Sequence, residues 1–249
     1  MQWLKLYNRN PYYTKLVDKY EVKDIVADII GEEYIIPTLG VWDKAEDIDF
    51  DSLPNQFVLK ATHDSGRVII CKDKNKLDKE WAKKEMKKSL ERDFYALTRE
   101  WPYKNVPRRI IAEVYMKDKD SVANDLIDYK FYCFNGEPTY CQVIRDRNSN
   151  ETIDFYDMQW KHMPFVGLNP LANNGATPAK KPHYLIQMIK ICKNMAKNTP
   201  FSRIDLYEIN NKIYFGEITF FPNSGVGQFR PAETDLKLGA MITLPSIKS

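Results

Sequence analysis

Two strand-like runs joined by Asn135-Gly136 constrain this chain most. Residues 129–134 and 139–144 flank that pair, the strongest short-range signal for a hairpin, so the chain contains antiparallel sheet. A second hairpin is expected from residues 203–209 and 213–219, turning through Asn210-Asn211, and runs at 56–61, 67–72 and 109–116 add further strands. Helical stripes intervene. One covers residues 16–30, with Leu16, Tyr20, Ile25, Val26, Ile29 and Ile30 on one side and Gly31 placed to end it. A second covers 78–97 through Trp81, Met86, Leu90, Phe94 and Leu97. A third starts at Pro182 and stops before Pro200, with Leu185, Met188, Ile189, Cys192 and Met195 inward. Residues 167–181, rich in Asn, Pro, Gly and Ala, read as a mobile loop. The mix is α+β with mostly antiparallel sheets and no internal repeat.

Composition narrows the function classes. With 249 residues, 43% hydrophobic and 13% aromatic, the chain can bury a core for one large domain or two small ones. The net charge is +3, and no basic stretch interleaves with aromatics, so nucleic acid is not an expected partner. Residues 72–88 are lysine-rich and read as a solvated helix face. Cys71, Cys133, Cys141 and Cys192 form no C-x-x-C pair, and His63, His162 and His183 are scattered, which argues against structural zinc and for buried free thiols. No run approaches the roughly 18 apolar residues of a membrane span, and no apolar signal core opens the chain. A cytoplasmic protein is the expectation.

The last hairpin carries the chemistry. Alternation puts Arg203 and Asp205 on one face of their strand, and Glu217 and Thr219 on one face of the next. The two sets share a face only if Asp205 opposes Glu217, which needs a three-residue loop at 210–212 or a bulge. Opposed carboxylates repel, and a cation between them reverses the sign. Magnesium takes a couple of carboxylates together with phosphate oxygens, so the pair suits a metal–nucleotide complex. Arg203 is positioned to clamp a carboxylate or a transferring phosphoryl group. An amphipathic hairpin with a charged outer face is the plainer alternative.

The pattern R-x-D, turn, E-x-T before Pro and Gly resembles the metal-binding end of ATP-grasp enzymes such as D-alanine–D-alanine ligases. The resemblance implies that Asp205 and Glu217 hold Mg²⁺, that Thr219 (usually Asn) or Asn223 is the third ligand, and that Arg203 stabilises acyl transfer. Asp18-Lys19 with Lys23 is similar to the family's DK-x-x-x-K opening, and the run from Phe57 through Lys60 to Ser65-Gly66 resembles its phosphate-covering loop. Ile111-Ala-Glu113-Val114-Tyr-Met116 resembles the adenine hinge, with the Val114 carbonyl and Met116 N–H binding the base and Glu113 contacting adenine or a neighbouring lysine. Asp128-Tyr-Lys130 resembles a D-x-[RK] strand in which Lys130 meets the γ-phosphate and Asp128 orders it; Arg145 and Arg147 are further anion-binding candidates.

These segments, in this order, identify the chain as a member of the TupA-like ATP-grasp group, associated with teichuronopeptide and other bacterial surface polysaccharides. That implies two α+β subdomains enclosing ATP. Residues 1–50 would be a truncated N-terminal helical region, 51–115 the small subdomain with lid and phosphate loop, and 116–249 the large subdomain with the metal site. A domain cut from a longer polypeptide is expected. The implied reaction is ATP- and Mg²⁺-dependent amide formation through an acyl phosphate. Its partners would be a small-molecule or saccharide carboxylate, a uronic or amino acid in capsule synthesis, and an amine. A kinase for a hydroxyl or amide, or a non-catalytic glycan-binding module, are the competing readings. Phe220, Phe221, Tyr156 and Trp160 are candidates for a sugar-facing platform, with burial in the core as the commoner alternative for aromatics in such runs.

Overall fold

Alternation of buried and more exposed residues at 57–61 and 68–71 gives a sheet with one buried face. The computed structural model describes residues 1–119, 126–145 and 151–246. It divides into two compact units: residues 9–25 with 35–116, and residues 1–8 and 26–34 with the described part of the chain from Lys117 onward. The first fifty residues are thus shared between the units.

In the 35–116 unit, strands β1 (Thr38–Trp42), β2 (Phe57–Ala61), β3 (Val68–Cys71) and β4 (Ile110–Val114) form an antiparallel sheet in the order β1-β4-β2-β3. Phe57, Leu59, Ile69, Cys71, Ile110 and Ala112 face one side and pack on Ala82 and Met86. Helix formation does not follow the apolar stripes alone. After α1 (Gln2–Tyr7), the stripe at 16–30 is two helices, α2 (Tyr12–Val17) and α3 (Glu21–Ile30). Asp18 divides them: its Oδ1 accepts from the N–H groups of Tyr20 (2.8 Å) and Glu21 (3.3 Å), the pattern of an N-cap worth about 1 kcal/mol. The stripe at 78–97 divides likewise into α4 (Lys79–Glu91) and α5 (Phe94–Thr98), because Asp93 caps Ala96 N–H at 2.8 Å. Trp81 and Leu97, expected inside, are exposed.

The second unit centres on β5 (Asp128–Phe134), buried along its whole length. It sits within an antiparallel six-stranded sheet, with β6 (Glu137–Arg145), β7 (Thr152–Asp157) and β8 (His162–Met163) on one side. A further short strand, β9 (Val166–Gly167), follows; β10 (Phe201–Ile209) and β11 (Lys212–Thr219) lie on the other side of β5. Strand β12 (Phe229–Arg230) pairs with β9. Helix α6 (Leu185–Met195) packs on β5, β6 and β10 through Leu185, Met188, Ile191, Cys192 and Met195, and α7 (Glu233–Ala240) follows β12. Strands β1 and β7 were not expected from sequence pattern. Residues 167–181 are irregular but tied down: Gly175 N–H donates to Asp154 Oδ1 (3.2 Å) and Ala179 N–H to the Tyr156 hydroxyl (2.6 Å). The four cysteines are buried and free, and no helix among the described residues is long and apolar enough to cross a membrane.

Candidate active site

The hairpin β10–β11 turns through two residues, Asn210 and Asn211, both at positive φ (50° and 61°), a conformation that asparagine tolerates. A two-residue turn alone pairs Ile209 with Lys212 and Leu206 with Phe215, and continued unbroken it would put Asp205 and Glu217 on opposite faces. The register shifts between Leu206 and Asp205, with Gly216 as the extra residue, so that Asp205 faces Glu217 and Arg203 faces Thr219. Of the two routes open from sequence, the bulge is the one taken. A Cβ on Gly216 would lie 2.9 Å from the Tyr207 ring and 3.1 Å from the Asp205 carbonyl oxygen, so glycine suits the close approach.

The neighbouring strand completes a cluster on one sheet face, since Asp205 pairs with Lys130 and Arg203 with Tyr132. Arg203 Nε and Nη2 hold the two Asp205 oxygens at 2.7 and 2.8 Å, and the same Nη2 reaches Glu217 Oε1 at 2.7 Å and Thr219 Oγ1 at 3.0 Å. Lys130 Nζ donates to Asp205 Oδ2 and lies 3.1 Å from Asp128 Oδ2. Three carboxylates and two cations leave these five side chains with one net negative charge. Burial pushes the Asp205 carboxyl above its ordinary pKa, against the pull of Arg203 and Lys130 and with the help of Glu217 and Asp128. Arg203 is held above its ordinary value despite burial, because Asp205 and Glu217 favour its charge. Asp205 is 1% exposed, whereas the Glu217 side chain is 43% exposed, so the cluster opens on the Glu217 side.

Oxygen donors from Asp205, Glu217 and Thr219 have the hard character that magnesium requires. Among the described residues no group of three or more Asp, Glu, His or Cys is gathered into a cage. Two carboxylates and a hydroxyl would hold magnesium only together with further oxygens from outside the chain. Asn223, the alternative third ligand, points its amide elsewhere and donates to the Leu168 carbonyl at 2.9 Å, whereas Thr219 lies in the cluster.

The 35–116 unit carries the opposite charge pattern. Glu113 on β4 is bracketed by Lys60 (2.5 Å) and Lys23 (2.6 Å). Burial raises the Glu113 pKa, but the two lysines outweigh it and the net shift is downward. Two ammonium groups against one carboxylate leave a net positive charge. Lys60 pairs across the sheet with Val68, and Val58 with Ile70; Val68 and Ile70 are half exposed, so an apolar strip lies beside the lysine. Lys23 is the partner that sequence reasoning mentioned only within the DK-x-x-x-K spacing. Lys19 does not join Glu113; its Nζ donates to the Asp64 carbonyl at the start of the loop holding Ser65 and Gly66. Those two residues are exposed, with Gly66 at φ +92°. Arg92 anchors that loop from the break between α4 and α5, reaching Asp64 Oδ1 at 2.9 Å and the Ser65 carbonyl at 3.1 Å. Val114 ends β4 and gives its N–H to the Pro37 carbonyl (3.1 Å); Met116 lies two residues further on.

Arg145 is a correction. An unbroken β5–β6 register would place it on the Lys130 face, but a shift between Tyr132 and Cys133 pairs Lys130 with Gln142 and turns Arg145 to the other side. There it holds buried Asp154 and the Thr177 carbonyl, each at 2.7 Å. Arg147 lies outside the described residues. Of the aromatic candidates, Phe220, Phe221 and Tyr156 take the core alternative and are buried, and Tyr156 stacks on Trp160 at 4.4 Å. Tyr132 and Gln142 join the site face without having been singled out; the i, i+2 spacing of Asp128, Lys130 and Tyr132 was the available signal.

A family model described as TupA-like ATPgrasp matches residues 1–243. No curated protein matches the chain. Among solved structures, D-alanine–D-alanine ligase from Bacillus anthracis superposes with a TM-score of 0.50 at 17% identity, over 91% of this chain and 65% of that one. The corresponding ligase from Helicobacter pylori gives 0.44 at 18% identity, over 92% and 61%. The ATP-grasp ligase PsnB, complexed with minimal precursor, Mg and ADP, gives 0.43 at 10%, over 86% and 52%. The chain thus spans less than two thirds of the length of these structures, and the first likeness shows a shared ATP-grasp fold.

Proposed function

Because the chain belongs to the TupA-like ATP-grasp family, we propose that it is an ATP- and magnesium-dependent carboxylate–amine ligase. Its acid would be a sugar acid or an amino acid used in assembling bacterial surface polysaccharide. The observation that carries this reading is the convergence of Asp205, Glu217 and Thr219 on one arginine nitrogen, beside Lys130, with one negative charge in excess. Bound magnesium would neutralise that excess and the charge on the phosphates.

The chain's own groups divide the remaining work. Lys60 and Lys23, with their surplus positive charge, attract phosphate, and the strip of Val58, Val68 and Ile70 offers an apolar bed for the base. Val114 and Met116 supply backbone groups at the strand end for its edge. Ser65 and Gly66 lie on the loop that Arg92 holds in place, where N–H groups can cradle phosphate oxygens. Lys130 meets the γ-phosphoryl group as the substrate carboxylate oxygen bonds to phosphorus and the bond to the β-phosphate oxygen breaks, releasing ADP. The amine nitrogen then bonds to the acyl carbon, phosphate leaves and the nitrogen loses a proton. Arg203 donates to the oxyanion of that step. Incubating the protein with MgATP and a panel of sugar acids, amino acids and amines, then weighing the products, tests the proposal. Phosphate release with an amide is expected. A stable phosphorylated product with no amine requirement would replace the ligase by a kinase.

A further inference from the structure

One row along the sheet from Asp205, the site face runs into a cavity. Tyr132 is paired with Arg203 and forms one wall of it; the cavity measures about 180 Å³. Phe134, Phe201, Phe229, Leu168 and Leu238 are among its other lining residues. A closed apolar cavity of roughly 150 Å³ is large enough for a benzene-sized guest, so this one has room for a leucine or phenylalanine side chain. Its polar groups are few and engaged. The Tyr132 hydroxyl donates to Gln142 Oε1 at 3.1 Å, and Asp235 Oδ2 accepts from Phe229 N–H at 3.3 Å. Among the described lining residues Asp235 is the one charged side chain, and Met1 brings a partly buried amino group of the opposite sign. A sugar ring here would leave hydroxyls without partners, each at a cost of a lost hydrogen bond.

We propose that this cavity is the side-chain subsite for an apolar amino acid of leucine or phenylalanine size, its reacting end directed to Arg203. The inference rests on the ligase reading and selects the amino acid over the sugar acid. Recognition of the side chain is common to two sources, an amino acid that presents its carboxylate and one that presents its amine.

Saturation-transfer NMR on the whole chain tests it, with N-acetylphenylalanine, phenylalaninamide and glucuronic acid as probes and MgATP affinity measured on the same samples. At least one phenylalanine compound should receive saturation at its ring protons; the acetylated compound identifies an acid substrate and the amide an amine substrate. Gly239 lines the cavity from α7, and a Cβ there meets no heavy atom within 4 Å, so Gly239→Leu starts a side chain at the cavity rim without displacing a neighbour and narrows the space. That variant should weaken ring binding at least tenfold and leave MgATP affinity unchanged, whereas Leu238→Ala should shift preference towards larger rings. Binding of glucuronic acid but of neither phenylalanine compound, alongside normal MgATP binding, would overturn the subsite and leave the ligase standing. Ring binding unmoved by both substitutions would overturn it as well. Ring binding without any MgATP binding would retain the subsite and remove the ligase.

Discussion

Glu113 and Asp205 are both buried carboxylates with two cations in contact, yet their protonation shifts in opposite directions. Glu113 stands alone between Lys23 and Lys60, and the surplus is positive. Asp205 shares Lys130 and Arg203 with Asp128 and Glu217, and the surplus is negative. A positive surplus invites a phosphate and a negative one invites a metal ion. Counting charges thus distinguishes the two carboxylates where burial alone does not.

The sharpest way to break this contrast is to remove the negative excess. Asp205→Asn should lower turnover by about 10³-fold, the scale seen when a preorganised charge-stabilising group is lost. Full activity in that variant would end the metal assignment. Removing the positive excess is milder. Lys60→Met should weaken ATP affinity by about tenfold, or roughly 1.4 kcal/mol, with turnover at saturating ATP within a few-fold of normal; equilibrium binding and kinetics together check this.

Acid titration sharpens the comparison with the smallest effect. The lowered pKa of Glu113 contributes stability above the ordinary glutamate range, about pH 4.3, and that contribution is lost as pH falls through the folded value. Glu113→Gln should therefore destabilise most at pH 7 and least near pH 3. Asp205, with a raised pKa, penalises the fold at neutral pH and loses the penalty on acidification. The effect of Asp205→Asn on stability should therefore be more favourable at pH 7 than near the ordinary aspartate pKa of about 3.9, the reverse of Glu113→Gln. Chemical denaturation at both pH values measures the crossing; parallel profiles for the two variants would show that the environments do not differ.

Much of the site was legible because strand alternation is rigid. Arg203 with Asp205, and Glu217 with Thr219, follow from a period of two, and the shared face needed only one bulge, which Gly216 provides. The same rigidity misplaced Arg145. A one-residue shift beside Cys133 inverts every later side chain of β6, and no glycine marks it. Helix ends were misread for a local reason: Asp18 and Asp93 interrupt apolar stripes by capping N–H groups, so stripes that look continuous cover two helices each. Lys23 was within view as part of a motif, but its ion pair with Glu113 joins residues ninety positions apart, which no local pattern specifies.

Calorimetric titration of ATP into the protein, with and without Mg²⁺, tests the central claim most directly when repeated on the Asp205→Asn, Glu217→Gln double variant. Magnesium is expected to strengthen binding to the native chain at least tenfold and to lose most of that effect in the double variant. An equal magnesium effect in both proteins, or none in either, would contradict the assignment of the acidic cluster to the metal.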